Sequence, residues 1–166
     1  MANPLTSEET KNPTNKETIK SKHKNLVILA REMEKTLGTE KAHKIVKDAF
    51  FNDMYQSVTE EMKELGPVEC FADFVRIEKD DNETPGITSN VNISYVNETD
   101  TELGLQVTKC LDAEVFKELE SVDLGYLIVC NPDHAYATAC NPRVKLRRSK
   151  TLMQGDPYCN HTWYWE

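Results

Sequence analysis

Three short stretches of this chain bring together side chains that can do chemistry. Cys110 stands four residues before Glu114. Cys130 is followed by Asp133 and His134, at i+3 and i+4 on one helical face. Cys159 and His161 alternate near the C-terminal end. A cysteine activated by a nearby imidazole becomes a nucleophilic thiolate. Thiols and an imidazole can instead hold a divalent metal that activates water. A third route needs neither, with Asp133 or a histidine acting as general base on water. The catalytic candidates are therefore Asp133, Cys130, His161 and Cys110, and the alternative is a metal cage of Cys110, Cys130, Cys159 and His161. The residue types alone leave these routes open, and a cysteine is also a small buried hydrophobe in many cores, which is the simpler reading of Cys70 and Cys140.

Five cations, Arg143, Lys145, Arg147, Arg148 and Lys150, cluster just before the last of these stretches. Strand alternation puts Arg143, Lys145 and Arg147 on one face and Val144, Leu146 and Arg148 on the other. Arg148 is thus a charge on a packing face. A buried guanidinium needs a partner, and a ligand carboxylate fits both prongs of its fork. Arg148 and Glu114 are the substrate-binding candidates, and a small anionic substrate is the expected partner.

The elements that must position these groups are legible as periodicities. Residues 1–20 are polar, lack aromatics and read as a disordered tail, leaving 21–166 as a single domain. Leu26, Leu29, Ala30, Met33 and Leu37 form one helical stripe, closed by Gly38. A second helix starts at Thr39 and carries Ala42, Ile45, Val46, Ala49, Phe50 and Met54. Ser57 to Glu60 fits a capping box that opens a further short helix ending at Gly66-Pro67. Residues 68–75 suit a helix or a strand, and 80–89 read as a loop. From Val91 the period becomes two, giving a hairpin whose second strand runs from Leu103 to Cys110. A helix over 112–119 follows, then a longer one over 122–139 bent near Pro132. A final hairpin pairs about 143–150 with 159–165. The predicted architecture is α+β, with N-terminal helices packed on a four-stranded antiparallel sheet and a helical pair inserted between its two hairpins.

Composition narrows the function classes. With 20 Lys and Arg against 28 Asp and Glu, the net charge of −8 disfavours nucleic-acid binding. No apolar run is long enough to span a bilayer, and the N-terminus lacks the apolar centre of a secretion signal, so the expected location is the cytoplasm without membrane contact. The five cysteines show no CxxC spacing and read as thiols or ligands rather than a disulfide framework. Gly-rich phosphate loops, HExxH and GxSxG are absent. Whether the chain forms a homo-oligomer stays open.

One set of spaced residues goes further. Lys109 to Leu119 (KCLDAEVFKEL), Asp123 to Tyr126 (DLGY), Cys130 to Asp133 (CNPD), Asn141 to Asp156 (NPRVKLRRSKTLMQGD) and Cys159 to His161 (CNH) together resemble the L-2-amino-thiazoline-4-carboxylic acid hydrolase family. The likeness spans about 109–165, a third of the chain. It implies hydrolytic opening of a cyclic C=N carboxylate to a carbamoyl-cysteine, with water adding to the carbon between sulfur and nitrogen. Under that resemblance Arg148 holds the carboxylate and Asp133 moves a proton, while the cysteines and His161 supply a nucleophile or a metal cage. The alternative is a non-catalytic module of the same fold that senses a small molecule or a metal.

Overall fold

The structure, a computed structural model, describes residues 14–166. Helix α1 (Asn15–Leu37) opens with a capping box: Thr14 Oγ1 accepts from the Glu17 amide at 3.3 Å and the Glu17 carboxylate accepts from the Thr14 amide at 2.7 Å. The polar stretch read as a tail is therefore helical from Asn15, and residues 1–13 lie outside the described residues. Lys16 and Lys20 on the first two turns pair with Glu114 and Glu118, tethering a segment that has little apolar surface of its own.

Helix α2 (Thr39–Leu65) runs straight through the expected start at Ser57. No Gly or Pro interrupts 39–65, and a capping signal acts only where the chain has left the helix. Gly66, at φ +90°, ends it. Residues 71–82 resolve as helix α3 (Phe71–Asn82), with the Asp73 carboxylate accepting from the Cys70 and Glu69 amides at its start. Phe71, Phe74, Val75 and Glu78 follow i, i+3, i+4, i+7 and all point inward. The expected loop holds one helical turn, α4 (Pro85–Thr88).

Strands β1 (Val91–Glu98) and β2 (Glu102–Cys110) form the first hairpin, and β3 (Val144–Arg148) and β4 (Cys159–Trp165) the second. All pairings are antiparallel, in the order β1-β2-β4-β3. Between the hairpins lie α5 (Leu111–Glu118), α6 (Val122–Gly125), a π-helical turn over Tyr126–Cys130, and α7 (Asp133–Cys140). The predicted α+β architecture and its inserted helical segment are what the structure has, with the bend falling at Pro132.

Leu103, Leu105, Val107, Val144, Leu146, Cys159 and Trp163 turn one sheet face toward α3 and α7. Phe74 meets Trp163 edge-on at 5.5 Å, a geometry aromatic pairs favour. A second core joins Ala30 and Val46 to Phe116, Leu124, Ile128 and Met153. Gly125 is needed there for close approach, since a Cβ at this position would lie 2.5 Å from Met153 Sδ and 2.6 Å from Phe116 Cγ. Gly125→Ala is expected to destabilise by about 1–3 kcal/mol, the usual cost of overpacking, read as a lower urea midpoint.

Candidate functional site

Arg148, the last residue of β3, is the anchor. Its side chain is 3% exposed. Nη1 donates to Asp133 Oδ2 at 2.5 Å and to His161 Nε2 at 3.1 Å, and Nη2 donates to the Cys130 carbonyl at 2.7 Å. The Tyr126 ring lies 5.6 Å from the guanidinium carbon. Strand pairing explains the partners: Arg148 stands opposite His161 in the β3–β4 register, and the π-helical turn and Pro132 bring Cys130 and Asp133 down over both.

This differs from the expected carboxylate clamp. The fork of Arg148 is already filled by protein acceptors, because a fully desolvated guanidinium must be satisfied at all times and not only when ligand is bound. The rest of the cationic cluster points elsewhere. Arg143 stacks on Trp165, Arg147 stacks on Tyr164 and pairs with Glu102, and Lys150 reaches Tyr158.

Asp133 and His161 instead face a cavity of about 230 Å³, walled by Met54, Ile87, Val91, Ile93, Leu105, Val107, Tyr136 and Trp163, with Glu78, Asp81 and Asn82 as its other polar groups. Asp133 sits deep in the fold, yet 31% of its side chain is reached by solvent, because the cavity opens onto it. Among the described residues no donor meets its Oδ1. Burial pushes this carboxyl above the ordinary carboxylate range while Arg148 pulls it back. His161 is the converse: burial, reinforced by the adjacent guanidinium, drives its pKa down to about 3. Arginine only donates, so His161 Nε2 is the acceptor and the ring proton is on Nδ1. The imidazole is thus a neutral donor and not a base.

Glu78 and Asp81 come from α3 and were missed in the sequence. Glu78 is 6% exposed; its Oε1 accepts from Trp163 Nε1 at 2.9 Å and Asn82 Nδ2 at 3.1 Å. Burial outweighs these bonds and raises its pKa to about 7. The available signal was a carboxylate at i+7 of the apolar stripe beginning at Phe71. Because the folded pKa lies above the ordinary value of 4.5, this group favours folding below about pH 4.5 and loses that contribution as pH rises through 7. Glu78→Gln is accordingly expected to raise Tm by a few degrees at pH 8 and to leave it nearly unchanged at pH 5.

The thiols do not form the expected nucleophile or cage. Cys110, Cys130 and Cys159 do come near one another, each close enough to disfavour ionisation of a neighbour, but in apolar packing. Burial lifts Cys110 to about 11 and raises Cys130 and Cys159 as well. Thiols so placed are protonated at neutral pH, the wrong state for nucleophilic attack. None of the three lines the cavity. Among the described residues one group has three metal-ligating atoms within 4.8 Å of one another, and it is Glu34, His43 and Asp123, not Cys110, Cys130, Cys159 and His161. Arg31 already spans Glu34 and Asp123, at 2.7 and 2.8 Å, so this group pins α1 to α6. Glu114 does not line the cavity either; it pairs with Lys16 at 3.0 Å. His134 is half-buried on α7, with its pKa lowered by burial, and is not part of the wall. With Ellman's reagent at pH 8, Cys70 alone, the exposed cysteine, is expected to react fast, and Cys70→Ser to remove the fast phase.

No helix among the described residues is long and apolar enough to cross a membrane. No curated protein sequence matches the chain. Two solved structures share its fold at low identity. One is the phenol-responsive sensory domain of the transcription activator PoxR with phenol (TM-score 0.55, 14% identity, covering 85% of this chain and 73% of that one). The other is trafficking protein particle complex subunit 3 from Naegleria fowleri, covalently bound to palmitic acid (TM-score 0.55, 13% identity, covering 92% of this chain and 95% of that one). At such identity they speak for the fold alone. The sequence match reaches further: the model of the L-2-amino-thiazoline-4-carboxylic acid hydrolase family runs over residues 18–163, from α1 into β4, and the chain belongs to that family.

Proposed function

We propose that the protein is a hydrolase that opens a small cyclic C=N compound of thiazoline or amidine type in the cavity between α3, α7 and the sheet. The observation that carries this reading is the Asp133 carboxyl group, with one oxygen fixed by buried Arg148 and the side chain facing a pocket of ring size. Family membership supports the reaction class.

Asp133 acts as general base and takes a proton from water as its oxygen adds to the carbon between nitrogen and sulfur. The ring nitrogen gains a proton as the C=N double bond becomes single. Collapse of the tetrahedral carbon breaks its bond to sulfur; the hydroxyl proton leaves and the sulfur ends as a thiol, so one water is consumed. His161, held neutral with its proton on Nδ1, donates a hydrogen bond to the entering oxygen. Arg148 is a positioning residue for both. The cavity's apolar walls lower the local dielectric and strengthen these contacts.

A sensor role is the second reading. The apolar lining favours it, and both proteins of similar fold carry a small molecule. A turnover screen of cyclic amidines and thiazolines, followed by mass spectrometry and run with and without chelator, separates the two. Ring-opened product at a catalytic rate supports the hydrolase; saturable binding of the same compounds without product supports the sensor.

A further inference from the structure

Ring opening puts a proton on the ring nitrogen. Asp133 is occupied with water and His161 only lends a hydrogen bond, so that proton needs another source. Glu78 is a buried titratable group on the same cavity wall and takes no part in those steps. It comes from α3 and Asp133 from α7, so the two carboxyls reach the cavity from different elements. They are near enough for Asp133 to oppose ionisation of Glu78. Only Asp133 has a cation against it, Arg148, so negative charge is stabilised there and not at Glu78. The groups facing Glu78 are Asp81 on its own helix, Tyr95 on β1, Asp133, Tyr136 and Cys140 on α7, and His161 on β4, and none of them carries positive charge. Carboxyl pairs whose surroundings differ in this way divide into an acid and a base.

The hydrogen bonds of Glu78 suit a group that releases a proton. Its Oε1 accepts from Trp163 Nε1 at 2.9 Å and from Asn82 Nδ2 at 3.1 Å, and the Tyr136 hydroxyl also bonds the carboxyl. Each of these bonds favours the ionised form, but burial outweighs them and keeps the proton on up to about pH 7. The wall therefore holds an acid at rest and already has donors in place for its anion. Such preorganisation stabilises charge that appears only during reaction. The two donors on Oε1 leave Oε2 to carry the proton.

We propose that Glu78 is a catalytic residue, the acid that protonates the ring nitrogen while Asp133 takes a proton from water. This rests on the reading of the cavity as the site of ring opening and adds its second proton carrier. As the C=N π pair moves onto nitrogen, the proton of Oε2 passes to it, an N–H bond forms and the Glu78 carboxylate remains. When the tetrahedral carbon collapses, its hydroxyl proton returns to Glu78 and Asp133 gives its own to the departing sulfur. In net, one hydrogen of water ends on nitrogen and the other on sulfur, and both carboxyls recover their starting states. Glu78 must be protonated to act, so turnover falls as pH rises through about 7.

Two probes given to the full chain test the proposal. One is 2-methyl-2-thiazoline-4-carboxylate, whose ring nitrogen must gain a proton. The other is its N-methyl thiazolinium, whose nitrogen carries a fixed charge and needs none. Glu78→Gln is expected to lower kcat on the first relative to the second by about 10²-fold or more, the contribution of a positioned acid. In the wild type the first probe loses rate above about pH 7 and the second does not, and Glu78→Gln abolishes that limb. Tyr136→Phe keeps the carboxyl and removes a bond that favours its anion, so it moves the limb to higher pH. It serves as the second variant should Glu78→Gln fold poorly. Equal slowing of both probes makes Glu78 a structural group and overturns the proposal, as does a limb that survives Glu78→Gln or stays in place in Tyr136→Phe. The base is read separately, because Asp133→Asn slows both probes alike. Wild type that opens neither probe sinks the hydrolase and the acid together, whereas turnover of both with no effect of Glu78→Gln sinks the acid alone.

Discussion

Asp133→Asn is expected to lower ring-opening turnover by about 10²–10⁴-fold, the range general-base groups supply. The substitution keeps shape and one acceptor for Arg148, and removes the charge that accepts the proton from water. The effect should fall on kcat rather than KM, because the lost interaction exists only as water attacks. Wild-type activity should rise with pH through the Asp133 pKa, and that limb should vanish in the variant. The pKa is raised by burial, so the limb lies above the range of an exposed aspartate. His161, with its pKa near 3, contributes no limb near neutrality. Steady-state rates in the variant within about threefold of wild type, with circular dichroism showing a folded protein, would remove Asp133 from the base role.

Arg148→Ala carries the largest expected cost in stability, about 3–5 kcal/mol. The guanidinium is almost wholly buried and serves three acceptors, so its loss strands the Asp133 carboxylate and the Cys130 carbonyl together. Solvent reaching Asp133 through the cavity moderates the penalty toward the lower end. A double-mutant cycle separates pairing from packing. Asp133→Asn combined with Arg148→Met should cost clearly less than the sum of the two single changes, since removing both charges leaves neither unpaired. Urea denaturation supplies all four corners. A stability loss below about 1 kcal/mol for Arg148→Ala would mean that the guanidinium is not the anchor of the site.

Partners within the fold, rather than a free anion, take up the charges of the cationic strand. The charges of 143–150 divide by strand face. The outward set is solvated or stacked on aromatics, and the single inward charge is neutralised by the fold itself. Acidity of the cavity comes from α3, whose carboxylates lie some fifty residues or more before the residues they face.

What the sequence by itself determined is everything that one element's own periodicity encodes. The first helix, the two hairpins, the break at Pro132 and the inward direction of Arg148 are local facts of spacing, and each stands in the structure. It also carried enough spaced residues after Lys109 to point to the family. Tertiary structure alone decided which groups meet. The register of β3 against β4 set His161 beside Arg148, the π-helical turn delivered Asp133 to both, and the docking of α3 added Glu78 and Asp81. Packing likewise turned three suggestive thiols into protonated core residues, and carried α2 through a sequence that resembled a helix start. The physical reason is common to all of these: a residue's face is a property of its neighbours in the chain, whereas its protonation, its partners and its solvent depend on segments that the fold brings from far away.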